Sequence, residues 1–224
     1  MRFVATRRTY GDSCAAAHAL DLVGERWALL VVRELLLGPK RFSDLCNGMP
    51  GVSANVLAQR LRELEDVGVL RRTKLGPPVG SQVYQLTDWG MDLEPVLTQL
   101  GKWGGRSPFL DRSAPRSLDS VMLSQRARFA PSVAGDLRAD YAVLIDDDRF
   151  AVHVADGKLD VERAEVHNPD AVIETDAQTF QDVLTKQLDL GAASNDSRFK
   201  VHGDVAAVER LFDAMLVPMI NQNS

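Results

Sequence analysis

Apolar residues recur at three- and four-residue spacing from Ala15 to Leu37, with Leu20, Val23, Trp27, Leu30, Val31 and Leu35 on one stripe. This period predicts helix, Gly24 predicts a break within it, and Gly38-Pro39 ends it. Arg41-Phe42-Ser43-Asp44-Leu45 opens a short helix that runs out near Gly48, Pro50 and Gly51. Ser53 then caps a helix to about Val67, with Gly68 just past its end. Val69 to Leu75 and Gln82 to Leu86 read as two short strands joined by the turn-rich stretch 76–81. Thr87 caps one further helix to about Trp103, striped by Leu93, Val96, Leu97 and Leu100.

Between Gly104 and Ser117 the periodicity stops and Gly, Ser and Pro accumulate, which marks a linker. Beyond it the rhythm changes. Tyr141 to Ile145 and Phe150 to Val154 are short apolar runs around the acidic turn Asp146-Asp147-Asp148, and Asp156-Gly157 is a hairpin signal. Ala171-Val172-Ile173 and Phe199-Lys200-Val201 add strands. Asp176 and Asp204 each begin a helix, the first with Phe180, Val183 and Leu184 on one face, the second with Val208, Leu211, Phe212, Met215 and Leu216. The fold class predicted is α+β, in two domains: 1–106, a linker 107–117, and 118–224.

Composition changes this picture in one respect. The chain of 224 residues carries a formal net charge of −5, yet residues 1–106 hold 14 Lys and Arg against 11 Asp and Glu, and the remainder 12 against 20. That asymmetry predicts separate tasks for the two halves. No apolar run approaches the ~20 residues of a membrane helix. Arg2, Arg7 and Arg8 are not followed by the apolar segment of a secretory signal. Cys14 and Cys46 are too few for a disulfide scaffold and lack zinc-site spacing. A cytoplasmic protein without membrane attachment is expected.

Helix, turn, helix, two-stranded wing, helix is the order of a winged helix-turn-helix, and the helix after Ser53 has two contrasting faces. Leu57, Leu61 and Leu64 cluster within about 40° of one direction, and Asn55, Gln59 and Arg62 within about 40° of the opposite one. Asn and Gln can bond adenine bidentately and Arg can bond guanine. Arg60 lies on the flank, where a guanidinium could reach a phosphate, and the free N–H groups behind Ser53 offer a second phosphate site. The competing reading of any one of these polar positions is a solvated helix face; the motif order as a whole favours double-stranded DNA as the partner.

Cys14, Gly24-Glu25-Arg26-Trp27, the run Leu37 to Leu45, the run Leu57 to Glu65, Tyr84 to Gly90 and Trp103-Gly104 together resemble the HxlR branch of the MarR-like winged-helix regulators. The resemblance covers roughly Ser13 to Gly104. It implies a transcription regulator that is not an enzyme, a homodimer formed by the first and last helices of the domain, and a pseudo-palindromic operator. Recognition residues are implied from Ser53 to Arg62, including Val56. Members often carry a basic residue before the second wing strand, where this chain has Gly80-Ser81-Gln82, so the wing contact passes to Lys74. The dimer stripe would be Leu93, Val96, Leu97 and Leu100. Cys14 matches a cysteine that some members use to sense oxidants; the alternative is a small buried hydrophobe on the dimer helix.

Phe199-Lys200-Val201-His202-Gly203-Asp204 leading into Val208 and Leu211-Phe212 resembles sterol-carrier-type domains, over about Leu118 to Pro218. The resemblance implies an apolar small-molecule effector held between sheet and helices, with Phe150, Phe180, Phe199, Phe212 and Met215 as pocket residues or as ordinary core. His18, His153, His167 and His202 lie in unrelated segments, and no catalytic set, cofactor motif or metal motif emerges. The alternative function is an apolar-ligand carrier whose winged helix serves mainly for dimerisation.

Overall fold

The structure is a computed structural model that describes residues 9–74, 80–111, 113–194 and 197–216. Arg2, Arg7 and Arg8 and most of the wing turn lie outside the described residues. The chain divides into two compact units, Met1–Asp119 and Ser120–Ser224. Divided there, the first unit holds 16 basic against 13 acidic residues and the second 10 against 18, so the charge asymmetry is the same as for a cut at residue 106.

In the first unit α1 (Ala15–Val23) and α2 (Ala28–Leu35) are separated by a turn in which Trp27 takes φ +78°. A left-handed tryptophan is a strained conformation. Its ring stacks under Arg26, whose guanidinium lies 5.2 Å from the ring centroid. Then follow α3 (Phe42–Gly48), α4 (Ala54–Asp66), and β1 (Leu70–Lys74) paired antiparallel with β2 (Gln82–Leu86). The single helix expected after Thr87 is two: α5 (Asp88–Met91) and α6 (Glu94–Gly104). Leu93 is thus the cap rather than a stripe residue, because Pro95 fits only the first turn of a helix and forces a new start. α2 is the centre of the unit, packing against α3, α4, α6 and β2. Val31, Val32, Leu45, Leu57 and Leu61 are wholly buried.

α7 (Leu118–Arg128) crosses the division between units, and α8 (Pro131–Ala134) follows it. The second unit holds a five-stranded sheet in the order β5-β4-β3-β6-β7, from β3 (Ala139–Ile145), β4 (Asp148–Ala155), β5 (Lys158–Glu162), β6 (Ala171–Thr175) and β7 (Phe199–Gly203). β3 and β6 are parallel and the other pairings antiparallel. The β4–β5 turn is the Asp-Gly hairpin read in the sequence, with Asp156 at φ +51° and Gly157 at φ +71°. Alternate residues of β3 are buried, from Ala139 through Tyr141 and Val143 to Ile145, and face the same core as α9 (Ala177–Leu184) and α11 (Val205–Met215); a short α10 (Leu190–Ser194) lies between these two helices in the chain. Gly203 joins β7 to α11 at φ +99°, where a Cβ would stand 2.3 Å from the Asp170 carbonyl oxygen. The α+β class stands. Among the described residues no helix is long and apolar enough to cross a membrane.

Candidate nucleic-acid interface

α4 begins where Ser53 can cap it. The Ser53 hydroxyl accepts from the Val56 N–H at 3.4 Å, and Gly68 ends the helix region in the left-handed conformation. Leu57, Leu61 and Leu64 are at most 1% exposed, so the apolar stripe fixes the rotation of the helix about its axis. Ser53, Asn55, Gln59 and Arg62 are exposed and Val56 is half-buried. The face read as groove-facing is therefore the face the core leaves outside. Gln59 donates its amide to Glu63 Oε1 at 2.9 Å, leaving its carbonyl and second N–H for a partner.

Arg60 departs from expectation. It is buried, not flanking: its guanidinium bonds Glu63, lies 3.7 Å from Glu25, and its Nε has no partner. Its angular position is only about 60° from Leu57, close enough for the methylene stem to lie on the apolar face while its head pairs with two carboxylates. A phosphate contact would have to compete with both. Glu25 and Glu63 fall within the runs Gly24–Trp27 and Leu57–Glu65, but their pairing with Arg60 is not legible there, because Glu25 reaches Arg60 only through the α1–α2 turn.

In the wing, Lys74 is exposed opposite Gln82. Arg72 is held, its guanidinium 3.0 Å from Glu65 and 5.3 Å from the Tyr84 ring centroid. Arg71 is an exposed cation on the same strand that the sequence reading passed over, although the Arg71-Arg72 pair is visible there.

The expected dimer stripe is an uncovered surface. α6 buries none of its residues; Val96 and Leu100 are about half exposed, Trp103 is 69% exposed, and Leu93 and Leu97 are half-buried. Leu20 of α1 is exposed as well. Cys14 caps α1 with an exposed thiol, not a buried one in the single chain, and the Ala17 and Ala16 backbone N–H groups hold it below the ordinary thiol range. Cys46 is half-buried.

In the second unit Phe150, Phe180, Phe199, Phe212 and Met215 are all buried, but they do not enclose a ligand-sized cavity. Phe180 and Phe199 meet Phe212 edge-on at 6.1 and 5.8 Å, and Arg163 covers Phe150. Phe180, Phe212 and Met215 line a void of about 10 Å³, room for about one water, and Phe150 and Phe199 do not reach it. Of the two sequence readings, pocket residues or ordinary core, the packing of these side chains agrees with ordinary core. Gln125 is the polar member of that lining; with its amide oriented to satisfy both ends it donates to the Met215 carbonyl at 3.1 Å and accepts from Arg128 at 2.9 Å. Tyr141 donates to the Ala207 carbonyl at 2.8 Å, and burial pushes its phenol well above the ordinary value.

Residues 130–215 match the SCP-2 sterol transfer family, and residues 22–111 match the HxlR-like helix-turn-helix family. The HTH-type transcriptional regulator YvaP of Bacillus subtilis is 40% identical over 85 residues, 38% of this chain and 79% of its own. The HTH-type transcriptional regulator YodB of the same organism is 35% identical over 85 residues, 38% of this chain and 76% of its own. The crystal structure of quinone-bound YodB is 32% identical and covers 41% of this chain and 97% of its own, with a TM-score of 0.36. The chain belongs to the HxlR-like helix-turn-helix family, in which the relatives matched are named as transcriptional regulators.

Proposed function

We propose that the protein is a cytoplasmic homodimeric regulator that reads a pseudo-palindromic operator through α4. The observation that carries this reading is the exposed row Asn55, Gln59 and Arg62, set directly opposite the buried Leu57, Leu61 and Leu64 on the helix-turn-helix of a family of named regulators. The N-terminus of α4 at Ser53 and the exposed cations Lys74 and Arg71 take phosphates, the positioning contacts of such an interface. Arg62 takes a guanine edge, and Asn55 and Gln59 adenine edges. The dimer forms through α1 and α6, whose exposed Leu20, Val96, Leu100 and Trp103 need cover.

The second unit, with its net charge of −8, stays off the phosphate backbone and acts as the effector module. Its match to a sterol transfer family supports an apolar effector, which must displace Met215 and Phe212 to enter. The filled core favours the regulator over a carrier whose winged helix only dimerises. A footprint of the purified chain on its own upstream DNA tests the reading: protection of two half-sites about one helical turn apart is expected. Retention of DNA without sequence dependence at any salt concentration would overturn it.

A further inference from the structure

Residues 112–129 lie in neither family match, yet two of them complete the interior of the first unit. Glu34 of α2 is wholly buried; its Oε1 accepts from the Ser117 hydroxyl at 2.6 Å and from Arg33 at 2.7 Å, and its Oε2 accepts from Lys40 Nζ at 2.8 Å. Lys40, 5% exposed, gives a second bond of 2.8 Å to Oδ2 of Asp119, which is 1% exposed. The two carboxylates thus share the buried ammonium, with the Arg33 guanidinium at the edge. Buried charges persist only when paired, and removal of one partner strands the others. The fit is close: at Gly48 a Cβ would stand 2.3 Å from Glu34 Oε2, so a larger residue there would have to push the carboxylate from its place.

Lys40 is fixed at its other end too. Its backbone N–H donates to the Tyr84 carbonyl at 3.0 Å and its carbonyl accepts from the Tyr84 N–H at 2.8 Å, tying the residue before the α3 N-cap to wing strand β2. The Glu34 carboxylate therefore lies against Gly48 at the end of α3 and bonds Lys40, two residues before its start, which is tied to the base of the wing. We propose that Asp119 and Ser117 are positioning residues for DNA reading: from the head of α7 they lock Lys40 and Glu34 and so hold α3, and the wing strand bonded to Lys40, at the spacing that α4 and the wing need to engage one site. The proposal rests on the reading of α4 and the wing as the DNA-contacting surface. The Lys40 ammonium, bonded to Glu34 and Asp119, is not available for a phosphate.

The test uses the full chain with Asp119→Asn, and Ser117→Ala as the milder variant that removes no charge and keeps the test open if the first does not fold. Hydrogen exchange is read at the Lys40 and Tyr84 amides against the core amide of Leu61, alongside affinity for the footprinted site and for random duplex. In Asp119→Asn the Lys40 and Tyr84 amides exchange at least tenfold faster relative to Leu61, and specific affinity falls about tenfold with random-duplex affinity unchanged; Ser117→Ala shows the same pattern, smaller. Unchanged relative exchange in both variants overturns the proposal. Faster exchange with full specific affinity overturns it equally, since the cluster then serves the fold alone. If the parent chain binds DNA without sequence dependence, the DNA reading itself fails and the proposal falls with it, a result seen before any variant is made.

Discussion

The Gln59 amide donates to Glu63 Oε1, one turn further along α4, at 2.9 Å. Since Glu63 also bonds the buried Arg60, one carboxylate links the exposed face of α4 to its buried flank. Gln59→Ala and Asn55→Ala are expected to weaken the specific site by about 1–3 kcal/mol with random-duplex binding spared, as for base contacts. Arg60→Ala acts differently: it removes a buried methylene stem, while the half-exposed Glu25 and Glu63 stay solvated, so its main effect is a loss of about 1 kcal/mol of folding stability. Denaturant titrations and mobility shifts at one salt concentration separate the two classes. A stable Arg60→Ala chain that loses affinity for all duplexes equally would return Arg60 to the phosphate-contacting set.

The α6 surface gives the second prediction. Leu97→Asp is expected to yield monomers that bind the operator at least tenfold more weakly, because a charge replaces a half-buried apolar side chain beside the exposed Val96 and Leu100 of α6. Sedimentation of the variant at micromolar concentration measures this. An intact dimer would place the interface elsewhere.

Cys14 and Cys46 differ in setting, and the difference is measurable. The exposed Cys14 thiol, held down by the Ala17 and Ala16 N–H groups, is expected to alkylate with a rate–pH midpoint below that of an ordinary thiol, and faster than half-buried Cys46. Mild peroxide should change operator binding in the parent and not in Cys14→Ser. Equal alkylation rates for the two thiols would remove the basis for a sensing role.

A fourth prediction concerns the second unit. Asp176 caps α9, its Oδ2 accepting from the Thr179 hydroxyl at 2.6 Å and its Oδ1 from the Thr179 N–H at 2.8 Å. The hydroxyl bond, then the N–H bond, hold its carboxyl below the ordinary value. A depressed folded value means the cap's contribution is complete above the ordinary carboxylate range near pH ~4 and is lost as pH falls through the depressed one. Asp176→Ala should therefore cost about 1 kcal/mol at pH 7, and the gap to the parent should close at lower pH. Urea midpoints at the two pH values decide it; a gap independent of pH would mean the carboxylate charge plays no part.

α4 was legible because every signal for it is local: Ser53 at one end, Gly68 at the other, and leucines at helical spacing between them. Arg60 was not, since a polar residue's burial depends on what meets it, and Glu25 arrives from another helix turn. α7 was invisible for the same physical reason. Its buried positions include Asp119 and Gln125, whose partners are Lys40 and the Met215 carbonyl, so polar residues interrupt the apolar periodicity that betrays a helix. The split between α5 and α6 was readable from Pro95 and was overlooked because the leucine stripe runs through it. The aromatic core of the second unit was identified residue by residue, but whether five large side chains surround a space or fill it is decided by ring angles that no pattern records.

Phe180 and Phe199 pack edge-on against Phe212, and the void beside Phe180, Phe212 and Met215 is only about 10 Å³, a fullness that would set how fast a guest could arrive. If the proposed apolar effector enters this core, it would wait for an opening of the packed rings, and its apparent affinity would be reduced by the fraction of open molecules. Uptake would then be paced by the protein's own clock: the observed rate would level off as effector concentration rises, at a ceiling equal to the rate of opening. Substitutions that loosen the ring contacts, such as Phe180→Leu, would raise the ceiling while lowering the melting temperature, so responsiveness and stability would trade against each other in the same side chains.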